Sequence, residues 1–461
     1  MTITPPAEPL DTTQRLELRR RIDLLLRTGQ LLVESMANTS RIMRDMKRVA
    51  AFMGLPEDKL HIYVNFDMLM VNVSDGSYSV SKFQRIDKHT VNMQAITEIS
   101  LLSWRAIEQD YSLDQYETEL ESIRTRKRNY SHWLVAIGAG FACGGFCIQF
   151  GCDWVAFLYA SLAAILGMWV RTWCNHAGIN NYIGIATAAF AATLFAWSTT
   201  VLPSEWTDTP WHPLISCALF IVPGVPLMNF VDDMISGYTQ IGTIRAINTL
   251  LIVIAMAFGM AFAVRICGIE NFFPTISIVP HHQYWEYALA AGISAVGFSM
   301  IFNIQRKLLW VVALGGIIAV CTRNYVNLGP STDNIGLDMG LIAGSFAGAA
   351  LISIIAIRAV HWFHVPNHVL TIPSVIPMIP GVLMYRMLLG LISNHSASLE
   401  QVTPIMKAVD NGITSGLVIL AIVLGVALPT IIGRKFLDVA KNKRLDTLLR
   451  ERKASGKYLN W

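Results

Sequence analysis

Ile221-Val-Pro-Gly-Val-Pro-Leu-Met-Asn-Phe-Val-Asp-Asp-Met-Ile-Ser-Gly-Tyr-Thr-Gln-Ile-Gly-Thr-Ile-Arg245 opens with an apolar run long enough to belong to a membrane span, yet it cannot be one straight helix. Proline has no N–H to donate and its ring clashes with the preceding turn, so Pro223, Gly224 and Pro226 predict a broken helix. Irregular backbone at membrane depth survives only where protein or a watery cavity satisfies the freed polar groups, which marks this break as a candidate site. The second half of the chain carries a counterpart, Ile372-Pro-Ser-Val-Ile-Pro-Met-Ile-Pro-Gly-Val-Leu-Met-Tyr-Arg386. Paired broken helices are the sequence pointer to a transporter's binding site. The exposed N–H groups of a half-helix would suit a substrate carboxylate.

The candidate substrate- or ion-binding residues are therefore Pro223, Gly224, Asn229, Asp232, Asp233 and Arg245 in the first half, with Pro380, Gly381, Tyr385 and Arg386 in the second. An ionisable group inside a membrane costs at least about 2.5 kcal/mol and is kept for function or for pairing. Two readings of the acidic pair stand side by side. Asp232 or Asp233 is a proton-coupling or cation-binding carboxylate, or both are solvated at a cytoplasmic loop and cap the following turn. Arg171 and Arg323 end corresponding helices and read first as snorkelling interfacial residues. His281-His282 and His361, His364 and His368 are too loosely spaced to predict a metal site.

The rest of the chain agrees with a membrane protein. Of 461 residues 53% are hydrophobic and 15% charged, against roughly 25% charged in a soluble chain. The dense charge lies before Tyr130 and after Arg434. A net charge of +4 gives no ground for a nucleic-acid partner, and the basic cluster Arg434, Lys435, Lys441, Lys443 and Arg444 reads as a topological anchor. The seven cysteines form no metal-ligand pattern and read as apolar filler.

From Thr13 to about Met53 apolar residues recur every three or four positions, predicting a one-faced helix closed by Gly54 and Pro56. Three β-prone runs around a turn at Asp75-Gly76 predict a hairpin or small meander. Two polar helices, about Asp87 to Gln109 and Leu113 to Arg128, complete a small α+β cytoplasmic domain over residues 1–130. It has no phosphate loop, nucleophile elbow or clustered metal ligands, so neither an enzyme nor a cofactor is expected.

About ten spans follow, in two sets of five covering 131–270 and 280–434, before a basic cytoplasmic tail at 435–461. With the N-terminus inside, Lys and Arg favour cytoplasmic loops; Arg323 and Lys407 are the exceptions. Phe146 to Phe150 aligns with Phe298 to Phe302, and Arg171 with Arg323, both at an offset of 152 residues. Val222-Pro-Gly-Val meets Ile379-Pro-Gly-Val at a slightly longer one. Five spans are an odd number, so the second copy must enter from the opposite side. The expected fold is an all-α polytopic membrane protein with two five-helix inverted repeats.

Leu25-Leu-Arg-Thr-Gly29, Glu34-Ser-Met-Ala, the Leu55-Pro module, the Pro223-Gly224 span with Asp232, Asp233, Gly237, Gly242 and Arg245, and Ile379-Pro-Gly-Val together resemble the threonine/serine exporter family, with both halves fused. The resemblance implies export of L-threonine and L-serine across the bacterial inner membrane, driven by protons. Its partners would be a small amino acid, protons, the lipid bilayer and further copies of the chain in a homo-oligomer. A related two-component branch is associated with dicarboxylate export, and a membrane-anchored signalling protein is the alternative from another class.

Overall fold

The computed structural model describes residues 12–74, 79–203, 205–269, 282–330, 335–393 and 402–454. The Asp75-Gly76 turn, most of the Gly268 to Gln283 loop and the chain's first residues lie outside them. By packing, the chain divides into two compact units. One is Met1–Lys127 with Asn229–Arg245 and Ile432–Trp461; the other is Arg128–Met228 with Ala246–Ile431.

The first unit opens with α1 (Thr12–Glu34) and α2 (Thr39–Phe52), followed by β1 (Leu60–Val64), β2 (Met68–Ser74), β3 (Ser79–Arg85), α3 (Met93–Glu108) and α4 (Leu113–Thr125). The strands pair antiparallel in the order β1-β2-β3, with Val71 opposite both Ile62 and Lys82. Leu69, Val71 and Val73 alternate onto one face and are fully buried, as period two requires. Leu18, Ile22, Leu25 and Leu32 of α1 and Ile42, Met46 and Val49 of α2 share that core. Each such side chain contributes about 1.5–3 kcal/mol by burial. Gly29 is needed for this packing, because a Cβ there would lie 2.5 Å from Leu69 Cδ2 and 2.6 Å from Met46 Sδ.

One expectation fails here. The single helix from Thr13 to Met53 is two, broken at Met36, whose φ is 63°. The helical period continues across the break, so hydrophobic spacing alone cannot reveal it. Turn-forming Asn38-Thr39-Ser40 is the signal that could have.

The second unit holds α5 (His132–Gln149), α6 (Trp154–His176), α7 (Asn181–Ala196), α8 (Pro213–Ser216), α11 (Tyr284–Ile301), α12 (Leu309–Asn327), α13 (Gly340–Phe363), α14 (Asn367–Val375) and α15 (Gly381–Ser393). Helices α9 (Gly224–Ile235), α10 (Thr239–Ile266) and α16 (Val402–Ala454) have residues in both units. Their outer faces are apolar: on α10 Ile247, Leu251, Ile254, Phe258 and Phe262 are exposed while Val253, Met256, Ala257 and Met260 are buried. A helix apolar all round and open on one side has lipid as its solvent.

Among the described residues, seven helices are long and apolar enough to cross a membrane, and nine if each of two bent pairs is one span. The chain is a multi-pass helical membrane protein. The sequence predicts about ten spans; α11 (Tyr284–Ile301) is not in the set of seven to nine.

Within this unit α5 and α11 cross through small residues. A Cβ on Gly138 would sit 2.9 Å from Gly297 O, and one on Gly145 would sit 2.5 Å from Ala290 O. Ser294 Oγ donates to Ala142 O at 3.2 Å, and Phe146 meets Phe298 edge to face with centroids 5.9 Å apart. Both of these last pairs are separated by the repeat offset of 152 residues. Small residues at a crossing let backbones approach where lipid offers no hydrophobic drive.

The loop before α8 is tethered by Asp153, which caps α6 through Ala156 N–H at 2.7 Å. It also accepts from the hydroxyls of Thr207 and Thr209 and from Asp208 N–H. Burial raises the Asp153 pKa, but the bonds from Thr207, Ala156, Thr209 and Asp208 outweigh it and hold the carboxyl below its ordinary value.

Candidate functional site

The predicted site residues gather at two places. Asn229, Asp232, Asp233 and Arg245 converge in the first unit on the turn between α1 and α2. Asp233 is 0% exposed and Arg245 1%. Asp233 Oδ2 accepts from Arg245 Nη1 at 2.6 Å, and its Oδ1 accepts from Thr39 N–H at 2.9 Å. Arg245 Nη2 donates to Ala37 O at 2.8 Å, Asn229 Nδ2 donates to Met36 O at 2.8 Å, and Asn38 Nδ2 donates to Asp232.

The physics of helix ends explains this set. The last carbonyls of α1 are closed by Ser35, Met36 and Ala37 N–H, whereas Met36 O and Ala37 O in the turn and the first N–H of α2 are met by side chains of α9 and α10. Asn38 occupies the N-cap of α2 yet makes no side-chain cap bond of its own. Asp233 takes that role instead, where an anion is favoured by the aligned peptide dipoles. Arg245 and Asn229 serve the carbonyl side.

Gly237, with φ 85°, ends α9 so that Tyr238 N–H returns to Asp233 O at 2.8 Å. Gly242 then lets α10 pack back, since a Cβ there would lie 2.8 Å from Met234 Cγ. The sequence spacing from Asp233 to Arg245 is thus one tight helical hairpin. His89 lies beside it, stacked on Phe66 with centroids 4.0 Å apart. Burial and then the positive charge of Arg245 push its pKa below the ordinary value, so the ring is neutral at neutral pH.

Pro223, Gly224, Pro380 and Gly381 lie in the second unit. The segments Pro213–Ile221 and Gly224–Ile235 bend by 59°, and Asn367–Met378 and Gly381–Gly390 by 50°. Each break closes its own backbone: Gly224 N–H returns to Val222 O and Gly381 N–H to Ile379 O, both at 2.8 Å. The two breaks also face each other. A Cβ on Gly224 would meet Ile376 and Ile379 at 3.0 Å, and one on Gly381 would meet Leu219 at 2.8 Å and Val222 at 3.1 Å. These partners are repeat equivalents of one another.

A small cavity at the junction is lined by Phe146, Leu219, Val222, Gly224, Phe298, Ile376, Ile379 and Gly381, every one apolar. It presents no polar side chain to a solute. Tyr385 is fully buried and donates from its hydroxyl to Ile215 O at 2.8 Å; Arg386 is half-buried. Among the described residues no three His, Cys, Asp or Glu side chains gather as a metal site would need.

Sequence reasoning named the residues on α9 and α10 but missed their partners Met36, Ala37, Asn38 and Thr39, together with His89. Their side-chain types carry little signal because most of the bonds come from backbone.

Residues 23–267 match a family model described as "Putative threonine/serine exporter", and residues 287–432 match a second, described as "Threonine/Serine exporter, ThrE". The "Probable succinate transporter subunit YjjP" of Escherichia coli is 25% identical over 54% of this chain and 95% of its own. A "Threonine/serine exporter" of Corynebacterium glutamicum is 19% identical over 83% of this chain and 78% of its own. No solved structure matches.

Proposed function

The chain belongs to the threonine/serine exporter family, and from that premise we propose that it is a secondary transporter exporting L-threonine and L-serine across a bacterial inner membrane, driven by the proton gradient. Both termini are cytoplasmic in this reading. The observation that carries it is the reciprocal seating of the two Pro-Gly breaks, Gly224 against Ile379 and Gly381 against Val222. Two similar halves of opposite orientation can exchange conformations at little net cost, which is the basis of alternating access. The α5–α11 contacts between residues 152 apart support such a relation, and counting α11 as a span gives each half five. The closed apolar junction then corresponds to an occluded state, and transport requires the breaks to part.

Proton coupling falls to Asp233 or Asp232. A proton on Asp233 would withdraw the charge that holds both Arg245 and the first N–H of α2. One protonation event thereby loosens two attachments of the turn. The test is efflux from cells loaded with threonine-containing peptides: Asp232→Asn and Asp233→Asn are each expected to reduce it, and unchanged efflux in both removes the pair from the mechanism.

A second reading, dicarboxylate export, is favoured by the relative named as a succinate transporter subunit. Counterflow of labelled threonine, serine and succinate in proteoliposomes separates the two.

A further inference from the structure

Arg323 stands four residues before the end of α12, in a membrane span. Among the described residues no carboxylate lies within ion-pairing distance of it. Its guanidinium is held instead by neutral oxygens: Nε and Nη2 reach Asn324 Oδ1 at 3.1 and 3.0 Å, and Nη2 reaches Gln149 Oε1 at 3.5 Å. Gln149 and Asn324 are buried, and Tyr287, 1% exposed, has its phenol close enough to feel the Arg323 charge. Arg323 itself remains partly exposed.

An uncompensated cation in a span is costly and calls for a partner. Two neutral acceptors orient a guanidinium but do not neutralise it, and they leave part of its donor fork free. That fork matches a carboxylate in two parallel hydrogen bonds.

The repeat sharpens the point. Arg171, the equivalent of Arg323, has Thr172 where Arg323 has Asn324, and Val135 where α11 has Tyr287. With a cytoplasmic N-terminus, Arg171 lies on the inner side and obeys the distribution of positive charge, whereas Arg323 lies on the outer side and breaks it. A topological anchor accounts for the first arginine and not for the second.

We infer that Arg323, oriented by Gln149 and Asn324 beside Tyr287, forms an outward binding site for the carboxylate group of the transported solute. This rests on the transporter reading above. Glu286, next to Tyr287 in the chain, accepts from Gln283 N–H at 3.0 Å and lies 3.1 Å from His282 Nδ1, and among the described residues no ion pair joins it to Arg323.

The test uses the full chain in proteoliposomes, with counterflow of labelled threonine or succinate and external threonine, succinate or threoninol, which lacks the carboxylate, as competitors. For the solute that the wild type moves, Arg323→Gln is expected to weaken its competition at least tenfold, with a smaller loss in Arg323→Lys and weak threoninol competition unchanged. Equal competition by the carboxylate solute in wild type and Arg323→Gln overturns the site. So does a defect that disappears when anionic lipid is omitted, which would assign Arg323 to a headgroup. If Arg323→Gln does not accumulate, Gln149→Ala keeps the charge and loosens its orientation. A several-fold loss of carboxylate competition in that variant supports the site and no loss overturns it. A wild type that moves neither solute defeats the transporter reading itself, an outcome distinct from any change between variants.

Discussion

The neighbourhood of Asp233 and the junction of Gly224 with Gly381 are both buried and both built where a helix is interrupted, yet they are held by opposite means. At Asp233 the interruption exposes backbone donors and acceptors that side chains from α9 and α10 satisfy one by one. At the junction each break satisfies its own N–H within two residues and offers only apolar surface outward. The first arrangement is specific and expensive to disturb, because a buried charge loses far more when orphaned than a pair gains on forming. The second is tolerant of chemistry but not of volume, which suits surfaces that must separate and meet again.

The largest effect should come from Asp233→Ala, which leaves the buried Arg245 guanidinium without its ion-pair partner and is expected to cost about 3–5 kcal/mol. Thermal unfolding in detergent measures it. Arg245→Ala should cost a similar amount, and the double variant much less than the sum of the singles. Additive losses would show that the two groups are not coupled and would erase the contrast with the junction.

At the junction Gly381→Val and Gly224→Val add volume where a Cβ already meets neighbours at 2.8–3.0 Å. Each is expected to cost about 1–3 kcal/mol. Their transport rates should fall together, since the breaks are reciprocal; a defect confined to one position would break the equivalence. Asp153 stands between the extremes, with several donors but, among the described residues, no cation partner. Asp153→Asn should lose about 1 kcal/mol, less than Asp233→Ala, because no buried charge is orphaned. Limited proteolysis between Thr200 and Trp211 would report the loosened loop.

The smallest effect is a pH dependence. His89 has its folded pKa lowered, so the unfolded chain binds the proton more readily. Its stabilising contribution is complete above the ordinary value near about 6.5 and is lost as pH falls below it. Unfolding followed from pH 7.5 to 5.5 should show that loss in the wild type and a flatter profile in His89→Gln.

Much of this organisation was legible in the residues. The apolar runs identify a membrane protein, the prolines and glycines place both breaks, and Asp233 and Arg245 are conspicuous because charge is scarce nearby. The Met36 turn was not legible in hydrophobic spacing, since Leu32, Val33 and Ile42 keep the helical period across it and only Asn38-Thr39-Ser40 marks it. The pairing of Asp233 with Thr39 was hidden for another reason: its donor is a backbone N–H, which every residue but proline carries.

The sequence by itself determined where helices must cross lipid and where they must break, because both follow from local chemistry, apolar length and the missing proton of proline. Only the tertiary structure decided that Asp233 closes the N-terminus of α2, and that the two breaks seat against each other. Both depend on contacts between residues more than 150 positions apart in the chain, which local chemistry cannot specify.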